Sequence, residues 1–242
     1  MSLLVLMYHR AREGRHGNSA AMLDAHFAYL ASRCANVLPG ETLAPDKPSV
    51  CVSFDDGYFD FYTTVFPLLR KHHLRALLAI PPYVIRETVA VKTADRLGFD
   101  SDDAFTHPSR GGFCTWSELA EMTASGSVQI AAHGFTHTRL DNPQVDLEAE
   151  IEAPRTVLSA RLDQAVDSFV FPYGRYSPRS LTKARLRYRH VFRIGGALNR
   201  SWDSRLMYRI DADGMKAPGA LFAPARMAAY RVRYLWNQLR RR

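Results

Sequence analysis

The chain has 242 residues, 47% of them hydrophobic, and carries 32 Lys and Arg against 24 Asp and Glu, a formal net charge of +8. This is the composition of a folded globular protein, and no stretch nears the roughly 18 consecutive apolar residues of a membrane-spanning helix. Its three cysteines, Cys34, Cys51 and Cys114, have no close spacing, which excludes a disulfide framework or a thiolate zinc site and favours a reducing compartment.

The length suits one substantial core, and α/β barrels of this size are commonly single domains. The positive charge is uneven. The last 17 residues, from Arg226, hold six arginines and no acid, a pattern that favours anionic surfaces. A basic tail without a recognisable module gives little support to nucleic-acid binding, and none is expected.

The chain opens on the apolar run 1–7. It has no basic start and no small-residue cleavage site, so it reads as a buried first strand rather than a secretory signal. A cytosolic protein is therefore expected, with contact at the inner face of a membrane as an option. Tyr8-His9-Arg10 leads into a polar loop. Residues 22–33 have helical periodicity, with Leu23, Phe27, Leu30 and Ala31 on one face. A connector over 39–48 ends at Ser49-Val50-Cys51-Val52, a short β-branched run expected to be a buried strand. That strand delivers Ser53-Phe54-Asp55-Asp56-Gly57. Two adjacent carboxylates at a strand's carboxyl end sit where α/β folds place their chemistry, although Asp-Asp-Gly on its own reads equally as a turn.

A helix is expected over 58–73 and a strand over 74–80, stopped by Pro81-Pro82. Residues 86–113 show no pattern. Thr115 and Glu118 form a capping box that opens a helix closing near Gly126. A strand follows over 128–132, ending at His133, and then a helix within 141–162. Next come a strand at 169–171 stopped by Pro172-Tyr173-Gly174, a helix over 177–187, and strands over 190–194 and 206–210. This alternation gives about seven strands and implies a parallel sheet or barrel. The division expected is a barrel over 1–224 and a basic amphipathic helix over 225–242. In that helix Met227, Tyr230, Tyr234 and Leu235 either pack on the barrel or dock on an anionic membrane.

His133-Gly134-Phe135-Thr136-His137 is the second informative stretch. Two histidines four apart lie on one side of a helical turn, about 6 Å apart along its axis, within reach of one cation. One carboxylate and two imidazoles leave a metal with open positions, as catalytic sites require.

With Phe171-Pro172-Tyr173-Gly174 and the approach Phe113-Cys114-Thr115-Trp116-Ser117-Glu118-Leu119, these motifs resemble the polysaccharide deacetylases with a NodB-homology domain, a carbohydrate esterase family. The resemblance spans roughly residues 3–210. It implies a distorted (β/α) barrel and a divalent ion, most often Zn²⁺, held by Asp56, His133 and His137. It also implies Asp55 as general base and the Tyr173 backbone N–H as an oxyanion donor.

Two features depart from the family pattern. The arginine three before the third-motif tyrosine is Val170, and the carboxyl-terminal Leu-x-His is not apparent. One branch of the family opens instead with a strand ending in Tyr-His, which Tyr8-His9 matches, so His9 is the expected general acid. Arg209 is read either as orienting Asp55 through a charge-assisted hydrogen bond or as a surface arginine. Trp202 and Tyr83 are weaker candidates for lining the substrate groove or its mouth. His16, His26, His72, His73, His107 and His190 are read as structural or exposed.

The activity implied is removal of an acetyl or formyl group from an amino sugar in a glycan or glycolipid precursor. The alternatives are a non-catalytic carbohydrate-binding protein on the same fold and a metal-dependent phosphoesterase, which wants a second metal about 3.5–4 Å away.

Overall fold

The computed structural model describes residues 2–14, 16–204 and 206–239. Eight parallel strands occur in chain order: β1 (Leu3–Tyr8), β2 (Ala35–Asn36), β3 (Ser49–Asp55), β4 (Ala76–Ile80), β5 (Val128–Ala132), β6 (Ser168–Val170), β7 (His190–Ile194) and β8 (Met207–Asp211). Seven of them close into a barrel in the order β1, β8, β7, β6, β5, β4, β3, with β1 pairing back to β3. The two-residue β2 lies beside Ser49 and Val50 of β3, below the point where β4 takes over that edge at Val52. Closure leaves the seven barrel strands without a free edge, so nearly every strand residue is buried.

The period-2 geometry of a strand sorts these buried residues into two sets. Leu3, Val5, Cys51, Leu77, Ala79, Val170, Phe192 and Met207 share one apolar cluster inside the barrel. Leu4, Leu6, Tyr8, Val50, Val52 and Phe54 belong to the larger cluster beneath the helices. Following the inward set up β3 leads from Cys51 through Ser53 to Asp55, and on β8 from Met207 to Arg209. The register pairs Val5 with both Cys51 and Arg209, so β1 lies between the strands that carry Asp55 and Arg209, and Arg209 starts below Asp55.

The helices are α1 (Ala20–Arg33), α2 (Phe66–Lys71), α3 (Thr93–Gly98), α4 (Ser101–Thr106), α5 (Trp116–Ala124), α6 (Ala153–Leu162), α7 (Pro178–Arg187) and α8 (Pro224–Leu239). The expected capping box is present, with Thr115 accepting from the Glu118 N–H and Glu118 accepting from the Thr115 N–H. Wide π-type turns at Phe61–Val65 and Glu148–Glu152 lead into α2 and α6.

The patternless stretch 86–113 contains α3 and α4, both too short to show periodicity. Two buried arginines hold it: Arg96 donates to the Gly111 and Phe113 carbonyls and pairs with Glu118 at 2.7 Å, and Arg10 donates to the Phe99 carbonyl.

On α8, Met227, Tyr230 and Tyr234 pack toward the core, while Val232, Leu235, Trp236 and Leu239 are exposed. The last three arginines of the expected 225–242 helix lie outside the described residues. Among the described residues no helix is long and apolar enough to cross a membrane.

Candidate active site

Asp55 ends β3 and points into the barrel mouth, where Arg209 of β8 meets it end-on. Nη1 donates to Oδ1 at 2.6 Å and Nη2 to Oδ2 at 2.8 Å, and Nη1 also reaches Ser53 Oγ. Both residues are almost fully buried. Burial alone would push the Asp55 pKa up, but the guanidinium outweighs it and holds the carboxyl well below the usual carboxylate range. Arg209 and Asp55 thus form a bidentate pair.

Asp56 takes a left-handed backbone (φ 74°), followed by Gly57, also left-handed (φ 72°). Gly tolerates this freely and Asp better than most residues. The turn re-aims the Asp56 carboxylate away from Asp55. Its Oδ1 is buried without a hydrogen-bond partner and lies 3.5 Å from His133 Nε2 and 3.3 Å from His137 Nε2.

His133 follows β5, and its Nδ1 donates to the Val170 carbonyl at 2.8 Å, which leaves the Nε2 lone pair facing Asp56. Burial pulls both imidazoles down to about 4, so they are neutral at ordinary pH. A buried, unpartnered carboxylate oxygen beside two neutral imidazole nitrogens is costly on its own, and its chemistry fits a divalent cation.

The histidine pair is not on a helical turn. Residues 133–137 form a tight loop with Gly134 (φ 69°) and His137 (φ 62°) left-handed, which folds the second ring back toward the first. The two ring centroids are 4.9 Å apart.

A residue outside the sequence motifs shapes this loop. Buried Glu150 accepts from the Phe135 N–H (2.9 Å), the Thr136 N–H (3.1 Å) and the Thr136 hydroxyl (2.6 Å). A Cβ at Gly134 would come within 3.0 Å of Glu150 Oε2, so the glycine is needed for space as well as conformation.

His9 enters from the end of β1. Its Nε2 is 3.8 Å from Asp55 Oδ2, and its Nδ1 is 2.6 Å from Asp213 Oδ2. Burial alone would lower its pKa. The Asp213 hydrogen bond and the charges of Asp55, Asp56 and Asp213 outweigh that and raise it to about 9. Asp213 was not singled out from the sequence; its place two residues past β8 was the available sign.

Tyr173 sits in a left-handed turn (φ 56°) and is more than half exposed. Its ring and that of Phe105 flank His137 at 4.6 and 4.5 Å. With Asp55, Asp56, Arg209 and His9, these rings line a pocket of about 320 Å³.

Trp202 is elsewhere. It is buried at the foot of the barrel against Phe192 and His190, donating to the Glu41 carbonyl, so it does not line the groove. Tyr83 is half-exposed, its N–H bound to the Phe135 carbonyl, and it is not among the pocket residues.

The sequence pattern of the polysaccharide deacetylase family matches residues 42–189. The chain is 22% identical to the YxkH protein of Bacillus subtilis over 193 residues, 75% of this chain and 60% of that one. It is 36% identical over 89 residues to the poly-beta-1,6-N-acetyl-D-glucosamine N-deacetylase of Escherichia coli, covering 37% of this chain and 12% of the relative. The chain thus spans 60% and 12% of the lengths of these two proteins. The fold is shared with IcaB from Ammonifex degensii (TM-score 0.72, 21% identity, 95% and 96% of the two chains). It is also shared with the deacetylase PplD of Streptococcus pyogenes, solved with acetate (TM-score 0.73, 18% identity, 92% and 97%).

Proposed function

Because the chain belongs to the polysaccharide deacetylase family, we propose that it hydrolyses the N-acyl amide of an amino sugar, releasing acetate or formate and a free amine. The observation that carries this reading is the unpartnered Asp56 Oδ1 facing two neutral imidazoles beside a carboxylate held ionised by Arg209.

Asp56, His133 and His137 would hold a divalent cation, zinc fitting the nitrogen and oxygen ligand set, which when bound polarises an acyl carbonyl and acidifies water. Asp55, kept charged by Arg209, takes a proton from the attacking water. As the water oxygen bonds to the acyl carbon, negative charge builds on the carbonyl oxygen, and the Tyr173 backbone N–H is the proposed donor to it. His9, held as the imidazolium by the Nδ1–H bond to Asp213, passes its Nε2 proton to the amide nitrogen as the C–N bond breaks. The amine and the carboxylic acid leave, and the proton now on Asp55 returns to His9, 3.8 Å away, which restores both groups. Phe105 and Tyr173 offer aromatic faces on which the sugar ring can stack.

The name of the E. coli relative points to a β-1,6-linked N-acetylglucosamine polymer as substrate. A lipid-linked precursor is the variant favoured by α8. Its exposed Val232, Leu235 and Leu239 lie among arginines with no acid in the last 17 residues, a surface complementary to anionic lipid and self-repelling toward a second copy. Three free buried cysteines suit the reducing interior of a cell.

Metal-loaded protein assayed for acid release on N-acetylated and N-formylated amino-sugar substrates tests the reaction. Release from either class supports it, and release from neither, with metal bound, favours a binding protein. Retention on vesicles of anionic phospholipid at low salt, lost in Leu235→Glu while turnover on a soluble substrate is unchanged, tests the α8 surface.

A further inference from the structure

Beside the Asp56 site, a second group of ligand atoms converges: one nitrogen each of His9 and His16 and a carboxylate oxygen of Asp213, all within 4.8 Å of one another. The two rings are 5.6 Å apart between centroids. The grouping is built by the backbone rather than left to loop chance. Gly214 N–H donates to the Gly17 carbonyl (3.0 Å), Asn18 donates to the Ala212 carbonyl (2.9 Å), and the Met215 N–H donates to the Asn18 side chain (2.8 Å). These bonds clasp the loop after β1 to the segment after β8. His16 itself is left-handed (φ 62°), an uncommon conformation for a non-glycine residue, and exposed over His9.

We propose that His9, His16 and Asp213 form a second divalent-cation site, weaker than the first, whose filling silences the hydrolase. Two imidazoles and a carboxylate are a common ligand set for zinc, with bonds of about 2.0–2.2 Å that a small inward swing of exposed His16 provides. The site is weaker because a cation must displace the proton shared by His9 Nδ1 and Asp213, whereas Asp56 Oδ1 has no partner to give up. It is inhibitory because a cation on Nδ1 replaces that nitrogen's proton, and giving up the Nε2 proton would then leave an imidazolate, a far weaker acid than the imidazolium. It does not make a two-metal phosphoesterase centre: Asp55, the carboxylate between the two groups, has both oxygens occupied by Arg209.

This inference rests on the deacylase reading for its effect on rate, but not for its stoichiometry, and the experiment separates the two. Chelator-stripped full-length protein is titrated with Zn²⁺, with bound metal measured by equilibrium dialysis and activity followed in the same samples. Wild type should take two ions in well-separated steps, with activity appearing with the first and falling ~100-fold with the second, the scale of a lost general acid. His16→Asn, which tolerates the left-handed backbone, and His16→Ala should take one ion, keep basal activity and escape the inhibition. One ion per chain in wild type, or two ions and unchanged inhibition in both His16 variants, would overturn the proposal. If no substrate is turned over, the metal count still decides it.

Discussion

The two flanks of the pocket use the same side chain for opposite ends. On one flank, His133 gives its Nδ1 proton to the Val170 carbonyl, a neutral acceptor, and burial keeps it and His137 unprotonated. On the other, His9 binds the Asp213 carboxylate and keeps its proton. Burial depresses all three imidazoles, so the difference lies in whether a carboxylate stands behind the ring. In the proposed reaction the first flank would hold a cation and the second would supply a proton.

The largest effect comes from breaking the cation flank. His137→Ala leaves Asp56 with one imidazole, and we expect loss of tightly bound zinc by metal analysis and activity at background; a variant that keeps both would end the assignment. On the proton flank, Asp213→Asn removes the group that raises His9. Burial then dominates, the His9 pKa falls below about 9, and the alkaline limb of kcat moves to lower pH. A kcat roughly 10–100-fold lower, with unchanged zinc affinity at the Asp56 site, is expected, read from pH–rate profiles. An unmoved limb would show that His9 is not the acid. The smallest effect is expected at Glu150, which touches neither flank directly but pins the loop bearing His137. Glu150→Gln turns one accepting oxygen into a donor, and zinc should bind about 10–100-fold more weakly, measured by competition with a chromophoric chelator.

Most of the barrel was legible because strands buried on both faces read as short apolar runs; the expected 128–132 and 190–194 segments agree with β5 and β7 residue for residue. The ligand residues were legible because Asp55-Asp56 and His133–His137 each follow a strand. Their geometry was not. The histidines meet through two left-handed residues instead of a helical turn, a choice imposed by Glu150 from 13 residues beyond His137. Asp213 carries no motif, and it reaches His9 only because β1 and β8 are neighbours in the closed barrel. Trp202 read as a loop residue free to meet a sugar, whereas closure of the barrel foot gave its ring a packing role and its N–H a carbonyl. Long-range pairing set these outcomes, and local pattern does not encode it.

The most direct test compares wild type with Asp55→Asn, each reconstituted with zinc and assayed for acid release from an N-acetylated amino-sugar oligomer. Asp55→Asn should retain one tight zinc ion, since Asp56, His133 and His137 are intact, yet release acetate at least ~100-fold more slowly. Equal rates for the two proteins, or zinc lost along with Asp55, would contradict the separation of base from metal ligand on which the proposed reaction stands.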